Sequence, residues 1–175
     1  MSEAKIEKSW PVLDLGVKPN ITPSTWKLTI DGAVEEPITI DWATFMALPQ
    51  TEDVSDFHCV TTWSLMDSRW KGVQASTVLA LARPLESAQY AMIHAFDEYT
   101  TNVALYELLK DDVLLVHTWN DQPLPRDHGG PVRLITPQLY AWKGAKWISR
   151  IELLKQNKLG FWEDRGYSDT AHPWR

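Results

Sequence analysis

The sequence of 175 residues contains a single cysteine, Cys59. One cysteine cannot form an intramolecular disulfide. It also excludes sites that need several local cysteines, such as a zinc ribbon or a four-cysteine iron–sulfur cluster. By residue type alone, a lone cysteine is usually an inert buried side chain. Cys59 is therefore either structural or the carrier of a specialised chemistry.

The sequence also lacks an excess of positive charge and any long apolar run. The 17 Lys and Arg residues against 23 Asp and Glu residues give a formal net charge of -6, which disfavours binding to a phosphate backbone. No apolar stretch approaches the ~20 residues needed to cross a bilayer, and residues 1–8 precede no apolar signal region. We expect no nucleic-acid partner, no membrane segment and a cytoplasmic location.

No internal repeat, low-complexity stretch or long Pro/Gly/Ser linker divides the sequence. A chain of this length fits one domain, and the 44% hydrophobic and 23% charged fractions are typical of a soluble globular protein. We therefore expect residues 1–175 to form a single domain.

The hydrophobic pattern predicts a strand-rich α+β domain with short helices. Strands are predicted at residues 26–30, 37–40, 54–59, 90–96, 113–117, 131–135 and 147–154. Short helices are predicted at residues 41–48 with Asp41 as N-cap, at 77–82 with Ser76 as N-cap, and at 105–110. A loop is expected after Cys59, so that this cysteine ends a strand.

The segment Cys59-Val60-Thr61-Thr62-Trp63-Ser64 places a soft sulfur ligand before hydroxyl groups and backbone amides. Loops held by a rigid scaffold often carry function. This segment alone does not distinguish a ligand from a structural cysteine.

A second segment, His128-Gly129-Gly130-Pro131-Val132-Arg133, combines a histidine, a glycine pair and an arginine, and Lys146 follows thirteen residues after Arg133. Arginine offers a planar fork for bidentate phosphate contacts and lysine a compact point charge, so the pair suits a phosphorylated cofactor. The alternative is two solvated cations at a strand edge, since Lys and Arg are usually exposed.

Together these blocks resemble the sulfite oxidase family of molybdopterin-binding enzymes, over most of the chain. Three blocks carry the resemblance in the order and spacing of that family: residues 59–64, residues 128–133 and Lys143-Gly144-Ala145-Lys146. The resemblance implies the strand-rich fold of mixed sheets found in that family, a molybdenum–molybdopterin cofactor, and a molybdopterin-dependent oxidoreductase that transfers oxygen atoms.

The resemblance also implies roles for individual residues. The family's cysteine ligates molybdenum beside the dithiolene sulfurs, which gives Cys59 the role of metal ligand and catalytic residue. Soft thiolates suit such a centre. Further cofactor-binding candidates follow from the matched positions: Thr61, His94, Thr100, Asn102, His128, Arg133, Gly144, Ala145 and Lys146. A satisfied core histidine is an alternative for His94.

Two departures from the family pattern bear on the substrate. Sulfite-oxidising relatives carry an arginine five residues after the cysteine, where this sequence has Ser64, and an Arg–His pair where it has Glu7-Lys8-Ser9. The first departure disfavours sulfite oxidation, and the Cys59 block resembles the sulfoxide-reductase branch. We expect a small neutral or weakly charged substrate, such as a sulfoxide or an N-oxide, and an unidentified electron donor or acceptor.

Several alternatives stay open at this point. The chain could be a non-catalytic molybdopterin-binding or electron-relay module, or, as an enzyme, it could oxidise sulfite. The acid/base candidates are Asp97, Asp127 and His172. The aromatic residues near the C-terminus could wall the site, although such residues more often pack a core: Phe161, Trp162, Tyr167 and Trp174.

Overall fold

The computed structural model describes residues 5–6, 10–12, 14–16, 18–59 and 63–172. Three features singled out in the sequence lie outside these residues: the cofactor-binding candidate Thr61, the segment 7–9 and the aromatic residue Trp174.

Two mixed β-sheets form the described architecture, as the resemblance to the sulfite oxidase family implied. The strands are β1 Lys5–Ile6, β2 Lys27–Gly32, β3 Ile38–Asp41, β4 Thr51–His58, β5 Trp63–Gln74, β6 Tyr90–Ala95, β7 Thr100–Ala104, β8 Leu114–Trp119, β9 Gln122–Pro123, β10 Arg133–Ile135 and β11 Ile148–Leu154. The helices are α1 Trp42–Ala47, α2 Ala75–Ala80 and α3 Leu105–Leu108. Short 3-10 turns lie at Arg126–His128, Ala141–Lys143 and Glu163–Arg165. No helix in these described parts of the chain is long and apolar enough to cross a membrane.

The first sheet has the order β1-β5-β8-β10, with β4 also paired to β5 and β9 to β8. The second sheet has the order β3-β2-β11-β6-β7. Strand β1 runs parallel to β5, and β2 runs parallel to β11, whereas the other pairings are antiparallel. The mixed, strand-rich α+β class is therefore confirmed.

Alternation and capping explain the first elements. In β2, Leu28 and Ile30 are fully buried, so they point to the core as the period-two pattern requires. Burial of each such side chain stabilises the fold by about 1.5–3 kcal/mol. Asp41 Oδ1 accepts a hydrogen bond of 2.9 Å from the backbone N–H of Thr44, which confirms Asp41 as the N-cap of α1.

Two predictions of local structure are wrong. Helix α2 begins at Ala75 after Gln74, and Ser76 is not its N-cap; the backbone N–H of Ala75 bonds instead to the carbonyl of Val113. The loop predicted after Cys59 is short, because β5 begins at Trp63 and pairs with both β4 and β8. In both places tertiary strand pairing overrides the local signal.

Two apolar clusters fill the interior. The larger one takes residues from both sheets, with Trp26 and Phe45 among its largest buried side chains. The smaller one packs Trp10, Phe57, Cys59 and other side chains around the first sheet. Cys59 thus follows β4 directly and lies at the edge of this smaller cluster, as expected for a residue that ends a strand.

Candidate functional site

A cavity of about 360 Å³ opens beside Cys59. Its volume lies within the range of small-molecule and cofactor sites. Aromatic side chains form much of its wall: Trp10, Phe57, Tyr99, Trp142, Trp147, Trp162 and Tyr167. The polar groups of the lining are fewer: Asp14, Cys59, Asp97, Arg133 and Lys146. This composition, an apolar wall with a few converging polar groups, is typical of a ligand site.

Strand β4 positions the cysteine. Phe57 and Cys59 are two residues apart, so they share one face of the extended chain, and both line the cavity. A parallel bridge between His58 and Tyr140 fixes the end of β4 against a later segment of the chain. Cys59 is 8% exposed, so its sulfur lies in a mostly dry environment at the cavity wall.

Arg133 is a buried cation at the start of β10. It is 2% exposed, and its guanidinium donates to the carbonyl oxygens of His128 at 3.1 Å and Gly144 at 2.6 Å. Within the described residues, no carboxylate lies within 4.0 Å of this guanidinium, although buried charges are normally paired. Burial lowers the pKa of Arg133 to about 9.

Lys146 brings a second cation to the same wall. Its Nζ donates to the backbone carbonyl of Asp127 at 3.0 Å. Burial, and next the charge of Arg133, lower the pKa of Lys146 to about 8, whereas Asp14 and Asp97 act in the opposite direction. The two neighbouring positive charges repel each other, and a bound anion would stabilise the charged form of both side chains.

His128 belongs to the 3-10 turn Arg126–His128 and contacts the cavity wall through Trp10. Its ring stacks on Trp10 with centroids 3.9 Å apart and planes inclined by 6°. Burial, and next the charge of Arg133, lower the pKa of His128 to about 4, so the imidazole is neutral at pH 7. Its buried Nδ1 has no hydrogen-bond partner among the residues described.

Glycine permits the close approach of the two segments that carry these cations. Gly129 has a φ of +106°, and a Cβ built there would lie 2.9 Å from Lys146 Cβ and 3.0 Å from Arg133 Cβ. A side chain at this position would therefore be strained and would collide with both neighbours.

The structure brings together four of the cofactor-binding candidates. Cys59, Arg133, Gly144 and Lys146 all line the cavity. His128 and Ala145 do not line it. His128 stacks on the lining residue Trp10, and Ala145 is buried and accepts a backbone hydrogen bond from Leu134.

Three candidates lie elsewhere in the second sheet. His94, in β6, contacts Glu152 with Nε2 and Oε1 3.2 Å apart, and Asn102, in β7, is buried against Lys143. Thr100, at the start of β7, is not among the lining residues either. His94 therefore has a local acid partner away from the cavity.

Of the acid/base candidates, only Asp97 lines the cavity, and burial raises the pKa of its carboxyl. Asp127 is exposed and forms an ion pair of 3.0 Å with Lys18, and His172 contacts Glu107 at 2.9 Å. Asp127 and His172 therefore lie outside the lining.

Trp10 and Asp14 are among the lining residues that were not singled out in the sequence. Trp10 is one of ten tryptophans, and nothing in its local pattern separates it from the others. Trp162 and Tyr167 do line the cavity, whereas Phe161 does not.

The residues present fit a phosphorylated, sulfur-rich metal cofactor. Cys59 offers a soft ligand, and the same cavity carries two cations without a carboxylate partner in the described part of the chain. The buried Nδ1 of His128 is a further polar atom left without a partner there.

Comparison with known proteins agrees with this fit. Residues 15–162 match the family described as the oxidoreductase molybdopterin binding domain. The chain is 39% identical to the uncharacterized oxidoreductase YuiH of Bacillus subtilis, over 97% of this chain and 86% of that protein. It is 26% identical to the protein-methionine-sulfoxide reductase catalytic subunit MsrP of Campylobacter jejuni, over 86% of this chain and 56% of that protein.

A solved structure supports the fold. The sulfane dehydrogenase SoxCD of Paracoccus pantotrophus superposes with a TM-score of 0.72 at 19% identity, over 79% of this chain and 40% of that chain. The present chain thus spans about half of the length of the sulfoxide reductase subunit and less than half of the SoxCD chain.

These matches confirm the resemblance to the sulfite oxidase family, its fold and its cofactor. They also confirm the enzyme class, since members of the family are molybdopterin-dependent oxidoreductases that catalyse oxygen-atom transfer. The chain belongs to the oxidoreductase molybdopterin-binding domain family and is a molybdopterin-dependent oxidoreductase of the sulfite oxidase type.

Proposed function

We propose that the cavity beside Cys59 is the active site, and that a small neutral oxide, a sulfoxide or an N-oxide, is reduced there. The observation that carries this proposal is the pair of cations, Arg133 and Lys146, without a carboxylate partner among the described residues and in one cavity with the only cysteine. Such a cavity offers anion-binding groups and a soft metal ligand at the same place.

Arg133 and Lys146 are the groups we assign to the cofactor's phosphate. The guanidinium already donates to three carbonyl oxygens, those of His128, Leu134 and Gly144, which fixes its orientation before any ligand binds. Lys146 adds a compact point charge at the same wall. Gly144 exposes backbone to the cavity, and we assign it, with Ala145 behind it, to the loop that supports the pterin.

Cys59 is assigned as the protein's metal ligand, because a thiolate is the soft donor in this lining. When bound, the molybdenum cofactor supplies the two-electron redox chemistry of oxygen-atom transfer. The aromatic wall excludes water from the reacting centre, and His128, with its depressed pKa, adds no charge there at pH 7.

The charges of the lining favour an uncharged substrate. Arg133 and Lys146 are taken up by the cofactor in this assignment. Among the described residues, Asp14 and Asp97 are the other charged side chains of the lining, and these would repel sulfite. Ser64 carries a neutral hydroxyl, which offers no positive charge to an anion. The side chain is buried, and its Oγ lies 2.8 Å from His58 Nδ1. The name of the relative from Campylobacter jejuni, a methionine-sulfoxide reductase subunit, supports a sulfoxide.

Reduction of a sulfoxide consumes two electrons and two protons and releases the oxygen atom as water. The electrons must come from a donor whose identity stays open, and a cytoplasmic location and a single domain over residues 1–175 stay predictions.

Turnover with artificial redox partners tests the proposal. The purified, cofactor-loaded chain is given a reduced viologen dye with a methyl sulfoxide or trimethylamine N-oxide, and separately an oxidised acceptor with sulfite. We expect oxidation of the dye with at least one oxide and little sulfite turnover. Rapid sulfite oxidation without oxide reduction would show that the substrate assignment is wrong.

A further inference from the structure

A buried ion pair joins the loop that carries Gly144 and Lys146 to the last described segment of the chain. Lys143 Nζ lies 2.6 Å from Glu163 Oε1, and the two side chains are 1% and 0% exposed. Lys143 also donates to the backbone carbonyl of Asn102 at 2.7 Å and to its side-chain oxygen at 3.0 Å. The three protons of the ammonium group thus have three acceptors.

The second member of the pair is also anchored. Thr101 Oγ1 donates to Glu163 Oε1 at 2.6 Å. Burial of two charges is costly, and a well-packed apolar pair often stabilises a fold as well or better. The pair is fully buried, and Glu163 Oε2 has no hydrogen-bond partner among the described residues, so the pair carries an added energetic cost. A costly buried pair that nevertheless occupies this position points to a role in geometry.

The pair lies where two parts of the cavity wall meet. We name residues 160–171 the C-terminal wall. In this segment Trp162 and Tyr167 line the cavity, and their rings pack edge to face 5.1 Å apart. Glu163 directly follows Trp162, and Lys143 lies directly between the lining residues Trp142 and Gly144. The ion pair therefore connects the C-terminal wall to the loop that carries Gly144 and Lys146. In each of the two segments it lies next to a lining residue.

Further side-chain attachments of the C-terminal wall are ring contacts, of Tyr167 with Trp142 at 5.4 Å and of Phe161 with Tyr99 at 6.0 Å between centroids. Every side chain from residue 164 to residue 170 is exposed. Backbone hydrogen bonds hold its two ends, from Phe161 N–H to the Thr100 carbonyl at 2.8 Å and from Tyr140 N–H to the Ala171 carbonyl at 2.8 Å. Asn102 extends the buried network outward, because its amide donates to Asp169. A segment with so little buried surface opens readily unless specific contacts hold it.

We propose that Lys143 and Glu163 are positioning residues that hold the C-terminal wall over the cavity, so that Trp162 and Tyr167 form a fixed surface facing the substrate. This inference rests on the proposed function, because it takes the cavity as the active site. The two residues act through the wall and do not touch the reacting atoms.

The test compares two double variants of the full, cofactor-loaded chain. Lys143→Met/Glu163→Gln removes the buried charges together, so neither partner is left as an unpaired buried ion. Arg83→Met/Glu36→Gln is the matched control, since this exposed pair, with its atoms 2.9 Å apart, lies outside the cavity lining. Amide hydrogen exchange is measured at Phe161 and Tyr167, in the wall, and at Ile151 in β11.

We expect exchange at the wall amides to accelerate by about tenfold or more in the first variant, with β11 and the control unchanged. With a sulfoxide as substrate, KM should rise at least about fivefold while kcat changes less, because a displaced wall weakens binding more than chemistry. Unchanged wall exchange, or a fall of kcat at constant KM, would overturn the proposal.

A second variant keeps the test decisive if the buried pair is needed for folding. Asp169→Ala removes an exposed acceptor of the same network and leaves both buried charges in place. It should accelerate exchange at the wall about threefold, and no acceleration would also overturn the proposal. Because exchange does not depend on turnover, a chain that reduces no oxide but shows the predicted exchange would count against the proposed function alone.

Discussion

Replacing Lys146 by methionine should stabilise the cofactor-free chain at neutral pH. Burial and the neighbouring Arg133 lower the pKa of Lys146 from 10.5 to about 8. The difference corresponds to roughly 3 kcal/mol at about 1.36 kcal/mol per pKa unit. Because the side chain keeps some contact with solvent, we reduce this figure to about 2 kcal/mol, and loss of the hydrogen bond to the Asp127 carbonyl offsets about 1 kcal/mol more. The expected net gain is about 1 kcal/mol, or roughly 2–4 °C in Tm for a chain of this size.

The gain should depend on pH in a defined direction. Below about pH 8 the lysine is protonated in both the folded and the unfolded chain, so the full cost of its buried charge destabilises the fold. Between pH 8 and 10.5 the folded chain loses this proton first, and the cost disappears as the pH rises. The advantage of Lys146→Met over the original chain should therefore shrink above pH 8 and become a loss of about 1 kcal/mol near pH 10.5, where only the lost hydrogen bond remains.

Urea unfolding of the cofactor-free chain at pH 7 and near pH 10.5 measures this difference. Lys155→Met is the control, since Lys155 is exposed and should change the free energy of unfolding little at either pH. The claim under test is that the buried positive charge of Lys146 destabilises the chain when no anion is bound. A Lys146→Met variant that is less stable than the original chain at pH 7, or equally stabilised at both pH values, would refute it.

Three further substitutions test the site. Arg133→Lys should weaken binding of the cofactor on the order of tenfold and so lower the cofactor content of the purified chain, because lysine cannot reproduce the planar fork. Pterin fluorescence after release of the cofactor measures this content, and full content would contradict the assignment. Trp10→Leu should raise the pKa of His128 above about 4, because it removes the stacked ring that helps to bury the imidazole; an NMR titration that finds no rise would contradict this cause. Gly129→Ala should destabilise the chain by about 2–4 kcal/mol, since its Cβ would lie 2.9 Å from Lys146 Cβ at a positive φ; thermal unfolding at an unchanged Tm would contradict it.

Local patterns in the sequence account for much of the fold. The alternation in β2 and the carboxylate of Asp41 predicted a strand and a helix start that the structure shows. Strand β5 was missed because its pairing with β4 and β8 decides its conformation, and its sequence alternates poorly. Helix α2 starts without a side-chain cap, and Ser76, which the sequence indicated as the N-cap, lies inside the helix.

Part of the candidate site was predictable from contiguous motifs, although His128 and Ala145 of the same motifs do not line the cavity. Arg133, Gly144 and Lys146 were identified from two short blocks, and the structure places all three at the cavity with Cys59. Trp10 was not, because its contribution is a stacking contact with a residue far along the chain. Lys143 and Glu163 form their ion pair across separate elements, and no periodicity in the sequence indicates such a pairing.

The assignment of Cys59 as the molybdenum ligand is the central claim. X-ray absorption at the molybdenum edge counts the sulfur atoms bound to the metal in the loaded chain and in Cys59→Ser. We predict one sulfur ligand fewer in the variant, together with loss of oxide reduction and a nearly unchanged Tm, because a hydroxyl is close in size to a thiol but a poor ligand for a soft metal centre. The same sulfur count in both proteins, with turnover retained in Cys59→Ser, would contradict the account.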